Sequence, residues 1–218
     1  MSASALFSLG ARAMTANYAA LATTGNNIAN ANVAGYSRQQ VELATAIGQF
    51  SGSGFFGKGV DVTTVTRAYD SFLTREAATS RSLAAMDSTR LSLLNQLETA
   101  FPIGEQGLGY AAGQFLNSMV DLAARPQDSA TRQVVLAQAS DVASRFASAG
   151  AQLDTLQLAV REDLKTYVAE INQLAQSVAE LNQSIASMTG LGHSPNDLLD
   201  QRDQIIGELS DKVQLSTV

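Results

Sequence analysis

Three aspartates offer the most obvious chemistry in the chain, because Asp197, Asp200 and Asp203 recur every third residue and so share one helical face, where they could gather a divalent cation. Acids spaced this way on a helix more commonly form a solvated face or a cap with local ion pairs, and Arg202 lies among them. No metal is therefore expected. His193 is the single histidine, between Gly192 and Ser194, and one imidazole in a chain with no cysteine makes neither a zinc site nor a Ser-His-Asp or Cys-His set. It reads as a loop residue of no special role. Gly52-Ser53-Gly54-Phe55-Phe56-Gly57 fits the pattern G-x-G-x-x-G, but Val60-Asp61-Val62 follows it where a phosphate-binding helix should begin. No catalytic residue and no cofactor are assigned, and an enzyme or a ligand-binding helical domain lacks a set of convergent polar groups.

The asparagines around residue 30 are harder to dismiss. Asn30, Asn32 and Gly35 are explained as helix-ending and turn residues, Gly35 by its tolerance of positive φ. Asn26 and Asn27 lie inside the last helical turn, where asparagine is a poor helix former, so their amides are free to hydrogen-bond between subunits.

The elements that position these residues follow from periodicity. Residues 3 to 29 predict one long helix with a largely alanine stripe through Leu6, Leu9, Ala13, Ala16, Ala20 and Asn27. Its large side chains are Leu6, Phe7, Leu9, Met14, Tyr18, Leu21 and Ile28. At about 1.5–3 kcal/mol for each one fully buried, they fall short of the roughly 1–2 kcal/mol per residue that ordering the backbone costs. This helix needs a partner, and residues 1 to 30 are expected to be mobile in a free monomer.

Between Tyr36 and Thr66 the pattern alternates, predicting two strands through Val41, Leu43 and Thr45 and through Val60, Val62 and Thr64. The glycines from Ser51 to Gly59 predict an irregular loop between them. Helical periodicity returns at Tyr69 and ends at Phe101-Pro102-Ile103-Gly104; a helix over 110–124 stops at Arg125-Pro126, and Asp128 or Ser129 caps a further long helix that breaks near Gly150. Val160, Leu164, Tyr167, Ile171, Leu174, Val178, Leu181, Ile185 and Met188 alternate by four and three, a coiled-coil seam four heptads long. Ser194-Pro195-Asn196-Asp197 predicts a capping box for a last helix reaching about Asp211. The segment Val213 to Val218 alternates like the start of a strand and then stops, as a cut chain would.

The predicted fold class is mainly α: a long N-terminal helix, a short irregular β segment, then an elongated antiparallel helical bundle with coiled-coil-like packing. Its divisions are 1–35 as an assembly helix with its turn, 36–68 as an extended β linker, 69–212 as the bundle, and 213–218 as the start of a further β-rich domain. The composition agrees, with 45% hydrophobic residues but only 6% aromatic ones. A net charge of -6 leaves no basic surface for nucleic acid. No apolar run approaches the ~20 residues that cross a bilayer, and Leu6, Phe7 and Leu9, interleaved with Ser8 and Gly10, do not predict a cleaved signal.

The stretch Gly25-Asn26-Asn27-Ile28-Ala29-Asn30-Ala31-Asn32-Val33-Ala34-Gly35-Tyr36-Ser37-Arg38-Gln39 resembles the N-terminal signature of bacterial flagellar rod, hook and hook-associated proteins. Tyr69-Asp70-Ser71-Phe72-Leu73 and Asn196-Asp197-Leu198-Leu199-Asp200-Gln201-Arg202-Asp203 resemble the hook-associated branch of that axial family, and the similarity covers essentially the whole chain. The resemblance implies a structural subunit, outside the cell in the flagellum, exported uncleaved by the type III apparatus with an export chaperone. It implies a ring of copies between hook and filament, the hook protein below, hook-associated protein 3 above, and pairing of the first helix with a C-terminal helix of the same chain. Leu6, Leu9, Ala13, Ala16, Ala20, Asn26, Asn27, Ile28, Asn30, Asn32, Gly35, Tyr36 and Arg38 are then the expected assembly interface. A rod or hook component is the nearest alternative. Family members continue into a β-rich outer domain and closing helices, so the sequence reads as an N-terminal portion.

Overall fold

A computed structural model describes residues 3–52, 54–190 and 194–215. His193 and the last three residues of the alternating 213–218 segment lie outside the described residues, and 213–215 form no strand. The chain is mainly α, with a long first helix, short antiparallel strands and then long helices. It divides into two compact units, residues 1–82 with 171–218, and residues 83–170.

In the first unit, α1 (Ala3–Ala29) is followed by β1 (Gln39–Thr45), β2 (Gln49–Ser51), β3 (Gly54–Phe56) and β4 (Val60–Arg67). β1 and β4 pair antiparallel from Gln39 opposite Arg67 to Thr45 opposite Val60, with a bulge between Glu42 and Leu43. The two predicted strands are therefore present, and α1 packs on both. Gly59, at φ +88°, lets Leu9 approach where a Cβ would sit 2.8 Å from its Cδ1. Arg12 of α1 forms an ion pair with Asp61 of β4.

The predicted irregular loop instead contains a second ribbon, β2 paired with β3. Phe50 and Phe55 stand opposite each other with ring centroids 5.6 Å apart, a cross-strand aromatic contact that offsets the entropy of the flanking glycines. Gly54, at φ +131°, opens β3 with a backbone angle that glycine accepts.

α2 (Ser71–Ala100) starts where the Asp70 carboxylate accepts hydrogen bonds from the Phe72 and Leu73 amides. The second unit then holds a 3-10 turn (Gly104–Gln106), α3 (Leu108–Ala124) and the first part of α4 (Ser129–Gly190). Asp128 caps α4 as predicted, accepting from the Ala130 amide at 2.9 Å. The predicted break near Gly150 does not occur; α4 runs unbroken for 62 residues. One helical glycine costs only about 1 kcal/mol, too little to interrupt a helix supported by cooperative turns on either side. Ala100, Gly107, Ala111, Ser118 and Ala149 are the buried residues here, a thin core of small residues. Arg145 ties the connection before α3 to α4, donating to the carbonyls of Glu105 and Gly107.

Of the predicted α4 seam, Val160, Ile171, Leu174, Val178, Leu181 and Ile185 are half-buried, while Leu164, Tyr167 and Met188 remain exposed. The last helix, α5 (Asn196–Ser210), forms as predicted but without the capping box: Pro195 is the N-cap and has no side chain to offer the helix amides. Ser194 turns away and donates to the Asn196 side chain at 2.9 Å.

Candidate functional site: the asparagine turn and its acidic helix

α1 ends in a series of tight backbone bonds, Asn30 N–H to Asn26 O at 3.0 Å and Val33 N–H to Asn30 O at 3.0 Å. Tyr36 N–H then reaches Val33 O at 3.3 Å, and Gly35 takes φ +82°, the positive value its sequence position predicts. A Cβ on Gly35 would also lie 2.8 Å from the Gln204 Oε1, so α5 closes against this turn. The turn delivers Tyr36, Ser37 and Gln39 back alongside α1.

Asn27 uses its amide within the chain. Its Oδ1 accepts from Gln39 N–H and from the Tyr36 hydroxyl, both at 2.8 Å, and its Nδ2 donates to Gln39 O at 2.8 Å. A carboxamide has the donor and acceptor spacing of a peptide, so Asn27 stands in for a neighbouring strand at the first rung of β1. This explains why a poor helix former occupies the last turn, and it replaces the expectation that this amide is free to reach another subunit. Loss of hydration, then the negative charges of Asp200 and Asp197, push the Tyr36 phenol above its ordinary value of 10.0, which keeps it a hydrogen-bond donor.

Asp200 holds the other side of the turn. One carboxylate oxygen accepts from Ser37 N–H at 2.9 Å and the other from Arg67 Nη1 at 2.8 Å. Arg67 Nη2 pairs with Asp203 at 2.6 Å, and Arg202 lies 3.2 Å from the same Asp203. The Arg67 and Asp200 side chains are only 6% and 9% exposed. Burial acts to lower the Arg67 pKa, but hydrogen bonds and charge from Asp200 and Asp203 outweigh it and hold the guanidinium above its ordinary value. The same guanidinium stacks 4.4 Å above the Tyr69 ring. Asn196, also buried, donates from Nδ2 to Val65 O at 2.7 Å, so α5 occupies the outer edge of β4. The predicted solvated acidic face is thus corrected at Asp200, whose charge is taken up by an arginine 133 residues away in sequence. Among the described residues no group of three His, Cys, Asp or Glu side chains could hold a metal ion.

The other predicted interface residues divide between two sides of α1. Leu9, Ala16, Asn27 and Asn30 face the β ribbon or its turn, whereas Leu6, Ala13, Ala20, Asn26 and Ile28 are exposed. Asn32 and Arg38 are exposed on the turn. Sequence reasoning gives Arg67 no role, and Asn196 and Gln39 enter it only as members of longer stretches. Arg67 does close the alternating run from Val60, and a lone cation at a strand end beside acids repeating on a later helix is the one signal that hints at it.

Comparison with known proteins gives this turn and these helices a class. Residues 94–218 match the family model described as Flagellar hook-associated protein FlgK helical domain, and residues 7–36 match that described as Flagella basal body rod protein. The chain belongs to the flagellar hook-associated protein family. Flagellar hook-associated protein 1 of Salmonella typhimurium is 35% identical over 199 residues, covering 90% of this chain and 36% of that protein. The protein of the same name from Escherichia coli K12 is 32% identical over 199 residues, with the same 90% and 36% coverage, and that from Bacillus subtilis is 33% identical over 212 residues, covering 94% and 42%. The chain therefore spans well under half the length of these relatives.

Proposed function

We propose that the chain is a non-catalytic structural subunit of the junction between flagellar hook and filament, with α1 as its assembly helix. The observation that carries this reading is the outer side of α1. Phe7, Met14, Leu21 and Ile28 recur every seven residues, Leu6 and Tyr18 flank them, and all are more than half exposed. Phe7, Met14 and Leu21 lie away from the stripe of Leu9, Ala16 and Asn27 that faces the ribbon, and Ile28, next to Asn27, lies at its border. A heptad of large apolar residues on a helix already fixed along its other side is a surface for a second helix. The resemblance supplies the partner, a C-terminal helix of the same chain lining the inner tube.

On this reading copies form a ring, with hook protein below and hook-associated protein 3 above, after uncleaved export through the type III apparatus with its chaperone. Exposed Asn26, Asn32 and Arg38 then contribute to contacts between subunits. No described helix is long and apolar enough to cross a membrane. A rod or hook subunit is the second reading, favoured by the match over residues 7–36. The match over residues 94–218 favours the junction. Removing residues 3–29 from the full-length gene tests it: hooks should form, filaments should be absent, and filament protein should be shed into the medium. Normal filaments would overturn the proposal.

A further inference from the structure

α1, its turn and the ribbon bury little of their own. Among the described residues from 3 to 68, Ala16 and Ala46 are the only buried apolar side chains. That removes too little apolar surface from water to offset the entropy of ordering so long a segment. Charge is unbalanced in the same stretch, where Arg12, Arg38, Lys58 and Arg67 stand against Glu42 and Asp61 alone. Asp61 is taken by Arg12, and Glu42 accepts from the Thr66 hydroxyl at 3.1 Å. The next acid along, Asp70, caps α2. Arg67 finds its counter-charge elsewhere.

α5 supplies it. From Asn196 to Asp211, Asp197, Asp200, Asp203, Glu208 and Asp211 stand against one arginine, Arg202, so the helix is opposite in sign to the segment it covers. Ser37 N–H and Arg67 find Asp200 at separations of 163 and 133 residues, and Val65 O finds Asn196 at 131. The bonds between Asn27 and Gln39 span only 12. Contacts at the longer separations form after local ones, because the entropy of loop closure is lost before they contribute. Two properties thus coincide in α5: it completes a segment that is poorly held by itself, and it does so from late in the chain.

We infer that α5 is a strap whose docking fixes the α1 turn, so that the assembly helix is set in place only in a chain folded through residue 211. The inference rests on the reading of α1 as the assembly helix and adds the step that makes it ready. Pulse-labelled hydrogen exchange during refolding of the whole chain tests it without any substitution. The Ser37 and Gln39 amides should gain protection in the same phase as residues 200–210 of α5. Protection of Ser37 and Gln39 in an earlier phase than α5 overturns the inference. Exchange at equilibrium gives a second test, with Asp200→Arg compared against Glu208→Arg, the same change of charge on an exposed residue of the same helix. Asp200→Arg sets two guanidinium groups against each other and should speed exchange of residues 27–45 by at least about tenfold while residues 83–170 keep their rates. Glu208→Arg should leave both as they are, and equal exchange of residues 27–45 in the two variants overturns the strap. Should Asp200→Arg fail to fold, the order of protection in refolding decides alone. If the strap fails while deletion of residues 3–29 still abolishes filament attachment, the junction reading stands.

Discussion

At the scale of single residues the site is a latch with two bolts, Asn27 on the α1 side and Asp200 on the α5 side. Asn27→Ala leaves Gln39 N–H, Gln39 O and the Tyr36 hydroxyl without their partner. The first unit should lose about 2–3 kcal/mol, read as a lowered denaturant midpoint. Asp200→Asn takes a negative charge from a nearly buried arginine and should cost about 2–4 kcal/mol, whereas Asp197→Asn, on an exposed side chain, should cost under about 0.5 kcal/mol. Tyr36 gives the latch a pH dependence. Because its folded pKa is raised, its contribution is fully present below the ordinary value of 10.0 and is lost as pH rises through the higher folded value. Melting temperature should be flat in this respect from neutral pH to about 9 and fall above 10, and Tyr36→Phe should lessen that alkaline fall. Gly35 and the turn asparagines were legible from residue type, since few residues accept those backbone angles. The partner of Asp200 was not, because pairing across 133 positions leaves no local trace in one sequence.

At the scale of elements, periodicity located every long helix and both strands of the main ribbon, because each buries one regular face. It failed where a local preference was outweighed. Glycine near residue 150 did not end α4, and glycines near residue 54 did not prevent a hairpin, since cooperative turns in one case and a phenylalanine pair in the other outweigh single-residue propensities. Gly150 has nothing within 4 Å of where a Cβ would be, so Gly150→Ala should stabilise the second unit by about 0.5–1 kcal/mol in denaturant unfolding. Gly35→Ala, strained at φ +82° and crowded by Gln204, should destabilise the first unit by at least about 1 kcal/mol. The opposite signs separate a helix glycine from a turn glycine. For α1, side-chain ties at Arg12 and Asn27 and a packed Leu9 contrast with an uncovered outer face. Hydrogen exchange in the free chain should be slowest around residues 19–28 and fastest in the first turns, giving graded order where the stripe of alanines alone predicted mobility throughout.

At the scale of the molecule, the first helix is held by its turn and displays an apolar heptad, which the proposed function uses for assembly. The amino-acid pattern identified the family through the asparagine turn and the Asn196 to Asp203 stretch, and the structure gives those two stretches a shared physical role, since they hydrogen-bond to the same turn and ribbon. The division of α1 into an inner and an outer side was less legible, because alanines and leucines fit either side of a helix equally well by period. The most direct measurement is electron microscopy of intact flagella labelled with antibody against residues 83–170 of the full-length protein. A single band of label at the boundary of hook and filament is the predicted result. Label along the shaft of the hook, or in the rod below it, would contradict the account.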